Sequence, residues 1–196
     1  GETTLGAIDN IYRHQISLAS TYHFTSTEPY AQRLNRLLDV SENKIFNIGA
    51  LSLESLGNIS LLSPDQFKSL WGIDLNIPSI LVTVHPETVN LEANTLNTRE
   101  ILSALHLLAN QYQIIITMPN ADTLGLSLRE GFTTLGKQFT SVKVIENFGT
   151  QSYFTCMKYV DLLIGNTSSG IIEAASFDKF VINVGNRHKG RLSGEN

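Results

Sequence analysis

The sequence predicts an α/β fold with a doubly wound parallel sheet. Short β-branched runs alternate with longer amphipathic runs along the 196 residues, and no segment repeats with a fixed period. The run Ile-Leu-Val-Thr-Val at 80–84 is nearly all apolar, which is typical of a strand covered on both faces. Hydrophobic residues make up 42% of the chain, which is enough for a substantial buried core.

The first 75 residues predict helices separated by two short strands. Helices are expected over 7–19, from Glu28, near 51–56 and from Ser63, and strands over 22–26 and 44–48. Thr27 is expected to cap the helix at Glu28, whose inner face carries Leu34, Leu37 and Leu38. These elements are too few to close a sheet of their own.

After Pro78 the pattern predicts about five strands with helices between them. Strands are expected over 80–84, 114–116, 142–145, 160–164 and 180–184, and helices over 99–110, 124–135, 151–158 and 171–177. The stretch Asn76-Ile77-Pro78 marks the expected boundary. We interpret 1–76 as the back part of a preceding α/β domain and 77–196 as a truncated Rossmann-like domain. The chain has no initiator Met and ends in a loop-like stretch, so we expect a fragment.

The composition excludes several classes of protein. A net charge of −4 excludes a nucleic-acid binder that works through bulk positive charge. No apolar run approaches the ~20 residues that a membrane helix needs. The single cysteine, Cys156, excludes an internal disulfide and a cysteine-rich metal site, and it indicates a reducing, cytoplasmic compartment. The five histidines lack the spacing of zinc ligands, so we expect no metal.

Polar residues follow every strand predicted after residue 78. The carboxyl ends of parallel strands meet at one edge of the sheet, where open α/β sheets bind their ligands. Loops are polar in most proteins, but these residue types also fit one anionic ligand. The loops concerned are 85–88, 119–123, 147–149, 165–170 and 185–191.

The loop 165–170, Gly-Asn-Thr-Ser-Ser-Gly, has the composition of an anion site. Its backbone N–H groups and the hydroxyls of Ser168 and Ser169 would meet an anion at the start of a helix. Glu173, one turn further, would accept the hydroxyls of a ribose. The alternative is an ordinary helix cap, with Glu173 paired to its own first turn. The chain lacks both a Walker sequence and a GxGxxG motif after a strand, so we expect neither a P-loop nor NAD or FAD.

Two further groups belong to the same edge of the predicted sheet. Arg187, Lys189 and Arg191 form a basic cluster in an otherwise acidic chain, which suits a diphosphate or, alternatively, a solvated surface. His85 follows the first strand after Pro78 and would donate to a phosphate or move a proton.

Carboxylates at the start of the chain allow two interpretations. Asp9 and Arg13 are four residues apart on a predicted helix, which favours an ordinary salt bridge. Alternatively, Glu2 and Asp9 face the crevice as general base and general acid. Nothing local decides between the two.

Five segments resemble the UDP-N-acetylglucosamine 2-epimerase family, in particular its hydrolysing branch, which makes N-acetylmannosamine for sialic acid or related nonulosonates. They are GETTLGAIDNIYRH at 1–14, HPET at 85–88, PNADT at 119–123, GNTSSGIIEA at 165–174 and NVGNRHKGR at 183–191. The non-hydrolysing branch carries a Pro-Glu-Glu-x-Asn-Arg pattern where this chain has AIDNIYRH, so the hydrolysing branch is favoured.

The resemblance implies a GT-B-like fold, with a UDP-sugar bound between two Rossmann-like domains. Family members are commonly homo-oligomers, and the reaction needs no cofactor. On the family pattern, Glu2, Asp9 and His85 are the implied catalytic residues. The implied substrate-binding residues are Arg13, Asn120, Phe148, Ser168, Ser169, Glu173 and Arg187, with Phe148 near the uracil and Glu173 on the ribose.

The implied reaction removes the proton next to the anomeric carbon and expels UDP, giving a glycal. Water then adds at the anomeric carbon, and a proton returns from the other face. Asn10, Asn186 and His188 depart from the usual family residues, which leaves the choice of sugar open. The family's first domain begins before a segment like 1–14, so we expect this polypeptide alone to bind UDP weakly and to turn over little or no substrate.

Two other functions fit the same nucleotide pocket. A GT-B glycosyltransferase would also need an acceptor cleft. A non-catalytic nucleotide-sugar-binding module would need neither of the carboxylates at the start of the chain.

Overall fold

The computed structural model describes residues 1–38, 44–90, 92–119 and 125–194. Before residue 76 it contains four helices and two strands among the described residues. These are α1 (Asp9–Ala19), β1 (His23–Thr25), α2 (Glu28–Leu38), β2 (Ile45–Asn47), α3 (Leu51–Asn58) and α4 (Pro64–Trp71).

The rest of the described chain alternates strands and helices. The elements are β3 (Ser79–Thr83), α5 (Ala93–Leu108), β4 (Gln113–Thr117), α6 (Leu126–Gln138), β5 (Val142–Ile145), α7 (Gly149–Tyr159), β6 (Leu162–Gly165), α8 (Ser169–Ile172), a 3-10 helix (Ala174–Phe177) and β7 (Phe180–Asn183).

Strands β3 to β7 form one sheet in the order β5-β4-β3-β6-β7, and every pairing is parallel. The chain moves outward from β3 to β5, then returns to β6 and β7 on the other side. This is the doubly wound arrangement, so the predicted fold class is confirmed.

Alternation of side chains along the strands builds a core on each face of the sheet. Leu81 of β3 packs on one face with residues of α4 and α7, whereas Ile80 and Val82 pack on the other with residues of α5 and α6. All five residues of β3 and all five of β4 are buried. The apolar run at 80–84 is therefore explained by burial from both sides.

The elements nearest the start of the chain pair with each other but bury little. Strands β1 and β2 form a separate parallel pair, and α1 has no buried residue. On α2, Leu34 is buried as expected, but Leu37 is 47% exposed. The expected cap by Thr27 is wrong: the Thr27 carbonyl accepts from the Ala31 N–H, while its buried hydroxyl makes no hydrogen bond within the described part of the chain.

Helix α4 begins where Ser63-Pro64-Asp65 predicts it. The Ser63 hydroxyl accepts from the Gln66 N–H, and the Gln66 side chain accepts from the Ser63 N–H. Phe67 and Trp71 of this helix contact Phe148, with ring centroids 5.5 and 4.8 Å away. The helix thus belongs to the core beneath the five-stranded sheet, although it precedes the boundary predicted at residue 76.

Helix α5 begins at Ala93, six residues before the predicted start at 99. Its first turns carry polar residues that serve the preceding loop: the Asn94 side chain accepts from the Glu87 N–H and donates to the Glu87 carbonyl. Such residues show no apolar periodicity. Among the described residues, no helix is long and apolar enough to span a membrane.

Candidate functional site

A hollow of about 180 Å³ lies at the carboxyl edge of the five-stranded sheet. Three parts of the chain meet there: the start of the chain, the loop after β3, and the loops after β6 and β7. The lining residues are Thr4, Ala7, Asp9, Arg13, His85, Asn166, Thr167, Ser168, Arg187, His188 and Arg191.

Asn166 fixes the loop after β3 to the loop after β6. Its buried side chain accepts from the His85 N–H at 2.7 Å and donates to the His85 carbonyl at 2.8 Å. Both backbone groups of His85 are therefore satisfied by one amide. This places the half-buried His85 beside Thr167 and Ser168 at the rim of the hollow.

The loop after β7 is held against the loop after β3 by two contacts. The buried Glu87 carboxylate accepts from the Asn186 N–H at 2.7 Å. The Arg187 guanidinium donates to the Pro86 carbonyl at 3.0 Å. These contacts bring Arg187 to the same hollow as His85.

The start of the chain docks on both loops. The Leu5 N–H donates to the Lys189 carbonyl at 2.9 Å, and the Ile8 N–H donates to the Thr88 hydroxyl at 2.9 Å. A side chain at Gly6 would overlap the Asn186 backbone, so the close approach requires glycine.

Two arginines hold the carboxylate of Glu2. Arg13 donates to one oxygen, and Arg191 donates to the other from Nε at 2.6 Å. Arg13 therefore pairs with Glu2 rather than with Asp9, and the i,i+4 salt bridge of the first interpretation does not form among the described residues. Asp9 is exposed and lines the hollow.

The electrostatics of the hollow favour an anion. Arg13, Arg187 and Arg191 face Asp9 and Glu2, which leaves one excess positive charge in a chain of net charge −4. Burial lowers the pKa of His188 from its ordinary value, and the nearby Arg191 lowers it further. Both effects favour the neutral imidazole.

The loop after β6 uses its glycines for packing. A Cβ at Gly165 would overlap the Thr83 carbonyl oxygen, and one at Gly170 would lie 3.0 Å from Val181. The Gly170 N–H donates to the Thr167 carbonyl, and the Ser169 N–H faces the Thr167 hydroxyl. The N–H groups of Ser169 and Gly170 thus have partners within the loop, so the expectation of free N–H groups is wrong at these two residues.

A second hollow, of about 300 Å³, lies on the α5 side of the loop after β3. It is lined largely by apolar side chains, including Leu105, Leu128 and Val184, and among its described residues it holds no arginine or lysine. Among the described residues there is also no group of three or more His, Cys, Asp or Glu side chains that would hold a metal. The first hollow, lined by Arg13, Arg187, Arg191 and Asp9, is therefore the better candidate for a catalytic site, and we call it the charged hollow.

The model of one protein family, described as UDP-N-acetylglucosamine 2-epimerase, matches residues 1–196. The chain belongs to this family. The match spans all three parts of the chain that form the hollow, and it confirms the resemblance found in the motifs.

Two curated relatives are named as hydrolysing enzymes. The GDP/UDP-N,N'-diacetylbacillosamine 2-epimerase (hydrolyzing) of Campylobacter jejuni is 38% identical over 197 residues, covering 100% of this chain and 51% of the relative. The UDP-N,N'-diacetylbacillosamine 2-epimerase (hydrolyzing) of Legionella pneumophila is 34% identical over 191 residues, covering 97% and 50%. The chain thus spans about half the length of the curated relatives it matches.

A solved structure shares the fold. The UDP-GlcNAc 2-epimerase of Neisseria meningitidis bound to UDP-GlcNAc aligns with a TM-score of 0.70 and 20% identity, over 91% of this chain and 48% of that one. This supports the GT-B-like fold class.

Several residues implied by the family resemblance lie outside the hollow. Glu173 is buried, and its Oε2 has no hydrogen-bond partner among the described residues. It lies near Tyr153, whose pKa is raised mainly by burial and also by the Glu173 charge. Ser169 lies beside Tyr153. The Phe148 ring is in the core against Trp71, so any contact with a ligand would come from its backbone. Asn120 lies outside the described residues.

Asn166, His188 and Arg191 line the hollow and make contacts there, but they are not among the predicted site residues. The sequence places Asn166 in the loop 165–170 and Arg191 in a basic cluster, and His188 departs from the family pattern. Each makes a contact between residues far apart in sequence or within a folded loop. The one available signal was position: each lies in a polar loop directly after a strand.

Proposed function

We propose that the protein containing this chain is a hydrolysing UDP-sugar 2-epimerase that releases UDP and the free 2-epimer. The observation that carries the proposal is the charged hollow. Its arginines suit a diphosphate, and it also holds an exposed carboxylate, Asp9. A site for nucleotide binding alone would not need that carboxylate.

The diphosphate would lie against Arg187, His85 and Ser168. Arg187 is already oriented by the Pro86 carbonyl, so its remaining N–H groups are available for charge-assisted hydrogen bonds. Beyond the hollow, the unpartnered Glu173 oxygen suits the two hydroxyls of a ribose. We place the uracil near the Phe148 backbone.

The sugar would lie toward the start of the chain, where Asp9 and Glu2 are. In the first step a carboxylate takes the proton on the carbon next to the anomeric carbon. The electron pair forms the double bond of a glycal, and the bond from the anomeric carbon to UDP breaks with its electrons on UDP. In the second step water adds its hydroxyl to the anomeric carbon, and a proton returns to the neighbouring carbon from the opposite face.

The Asp9 and Glu2 carboxylates have different surroundings, which bears on their roles in proton transfer. Asp9 is exposed in the hollow, whereas Glu2 is bound by Arg13 and Arg191. We therefore assign proton transfer at the sugar first to Asp9, with Glu2 as the second carboxylate. Arg187 and His85 would stabilise the charge that develops on the departing UDP.

The relatives guide the choice of substrate. Both curated relatives described above are named for a diacetylbacillosamine nucleotide. We propose UDP-N,N'-diacetylbacillosamine as the first substrate to test, with UDP-GlcNAc as the second. We also propose that the protein is cytoplasmic, which the free thiol of Cys156 fits. From the family resemblance we propose in addition that it is a homo-oligomer.

The test is an NMR product assay on a polypeptide extended to the length of the relatives. It is incubated with each UDP-sugar and no acceptor. We expect UDP and free 2-epimer in equal amounts, and a loss of about a hundredfold or more in kcat for Asp9→Asn. Asp65→Asn, at an exposed aspartate of α4, is the matched control and should be unchanged. Requirement for an acceptor, or full activity of Asp9→Asn, would contradict the proposal. The 196-residue chain alone should show little or no turnover.

A further inference from the structure

His188 lies at one end of the series of contacts that hold Glu2. It follows β7 and is 8% exposed, and its ring lines the charged hollow. Its Nδ1 is 3.2 Å from Nη1 of Arg191. The same guanidinium donates to Glu2.

The chemistry of arginine fixes the state of this histidine. A guanidinium has only donors, so Nδ1 of His188 must accept and cannot carry a proton. In the neutral ring the proton is therefore on Nε2. The Asn166 backbone favours a proton on the ring, although Nε2 makes no regular hydrogen bond with any described residue.

The contacts form a continuous series across the hollow. Nδ1 of His188 accepts from Arg191, Arg191 donates to Glu2, and Glu2 also accepts from Arg13. The Arg191 side chain is 6% exposed, so little water is available to replace a lost partner. The Arg191 guanidinium is thus held from two sides, by the Glu2 carboxylate and by the acceptor at Nδ1 of His188.

We propose that neutral His188 is a positioning residue that holds Arg191 on Glu2. A proton on Nδ1 would place a donor against a donor and a cation against Arg191, so the Arg191–Glu2 pair would loosen. The consequence for turnover rests on the proposed function, whereas the contact itself does not.

The charged groups around His188 determine the pH response. Arg191 and Arg187 oppose protonation, and Glu2 favours it. Asp9, Arg13 and His85 line the same hollow from α1 and from the loop after β3. Burial and the two arginines outweigh Glu2, so the pKa of His188 is lowered from its ordinary value and the neutral ring is favoured.

The contact is tested by NMR on the 196-residue chain. Long-range nitrogen–proton spectra should show His188 neutral and protonated on Nε2 at pH 7, with a titration midpoint below that of an ordinary imidazole. The Nε–H signal of Arg191 should persist at pH 7 and broaden as His188 titrates. A ring protonated on Nδ1, or an Arg191 signal that does not respond to this titration, would overturn the proposal.

Two substitutions distinguish a positioning role of His188 from a role in folding. His188→Gln supplies an amide oxygen that accepts from Arg191 but does not titrate, so the Arg191 signal should persist into the acid range. His188→Leu removes the acceptor and should abolish the signal at pH 7. Retention of the signal in the leucine variant would contradict the proposal. If the leucine variant does not fold, the glutamine variant and the wild-type titration test the role of His188.

Kinetics of the full-length protein extend the test to the reaction. His188→Leu should lower kcat by about tenfold or more with a smaller change in KM, because the diphosphate contacts stay in place. His188→Gln should restore most of kcat. In this variant the pH profile of kcat should lack the fall on the acid side that protonation of His188 causes. If the wild-type protein shows no turnover, the proposed function fails while the NMR result still decides the role of His188.

Discussion

Two regions of this chain arise from similar sequence patterns but reach different degrees of burial. Around the five-stranded sheet, residues such as Ile114, Ile115 and Ile116 are fully buried. In the β1–β2 pair, Phe24 and Phe46 are 65% and 41% exposed and stack mainly on each other, 5.6 Å between ring centroids. Helix α1 is amphipathic, yet it buries none of its residues.

The difference teaches what a hydrophobic pattern does and does not determine. The pattern selects helix or strand, but burial needs a second layer of structure. The five-stranded sheet has a layer of helices on each face, whereas the β1–β2 pair has α2 and little else within the described residues. We propose that the remainder of an α/β domain covers β1 and β2 in the whole protein, as its relatives are about twice as long.

The largest effect expected from this comparison concerns two phenylalanines. Phe132 is fully buried beside α5 and the sheet, whereas Phe24 is 65% exposed. Phe132→Ala should lower the free energy of unfolding by about 3–5 kcal/mol, because it leaves a cavity in the core. Phe24→Ala should change it by less than about 1 kcal/mol. Urea unfolding of both variants measures the difference. Equal losses of unfolding free energy in the two variants would contradict the difference in burial between the two regions.

Phe67 sharpens the comparison at the boundary between the regions. It precedes residue 76 but is fully buried with Phe148 and Trp71. Phe67→Ala should therefore destabilise the chain nearly as much as Phe132→Ala, by about 3–5 kcal/mol. A loss as small as that of Phe24→Ala would mean that α4 folds with the β1–β2 region instead.

Alanine substitutions at two glycines should change the free energy of unfolding in opposite directions, by less than the phenylalanine substitutions do. Gly165 lies where β6 approaches β3, and a side chain there would overlap the Thr83 carbonyl. Gly165→Ala should cost about 1–3 kcal/mol or more. Gly57 in α3 has open space around it, so Gly57→Ala should stabilise the chain by about 0.5–1 kcal/mol. Thermal unfolding measures both; a stabilised Gly165→Ala variant would contradict the packing described.

The smallest expected effect concerns an exposed ion pair between α4 and the entry to β3. The Lys68 ammonium, helped by the Asn76 N–H, lowers the pKa of Asp74 from 3.8 to about 2. The unfolded chain binds the proton first, so this contribution to stability is present above about pH 4 and is lost as the pH falls toward 2. Asp74→Asn should flatten this part of the stability curve slightly. An unchanged curve would show that the pair contributes nothing.

The sequence predicts the elements well and the site in part. Strands β3 and β4 could be predicted because burial on both faces leaves nearly continuous apolar runs. The partly buried strands β5, β6 and β7 could be predicted from shorter apolar runs between helices. His85, Ser168 and Arg187 could be placed on one edge because parallel strands share that edge. The pairing of Arg13 with Glu2 could not be predicted, because it depends on how the start of the chain docks on residues near 189. Likewise, the packing of Phe148 in the core depends on α4, which lies some 80 residues earlier in the sequence.

The most direct test of the hollow as a nucleotide site is an NMR titration of the 196-residue chain with UDP. We expect shifts concentrated in 85–88, 165–173 and 185–191, with weak affinity. Arg187→Gln should weaken binding by about tenfold or more, because a charge-assisted hydrogen bond to the diphosphate is lost. Lys189→Gln, which removes the same charge from an exposed side chain two residues away, should change it little. Equal effects of the two substitutions, or shifts elsewhere on the chain, would contradict the assignment.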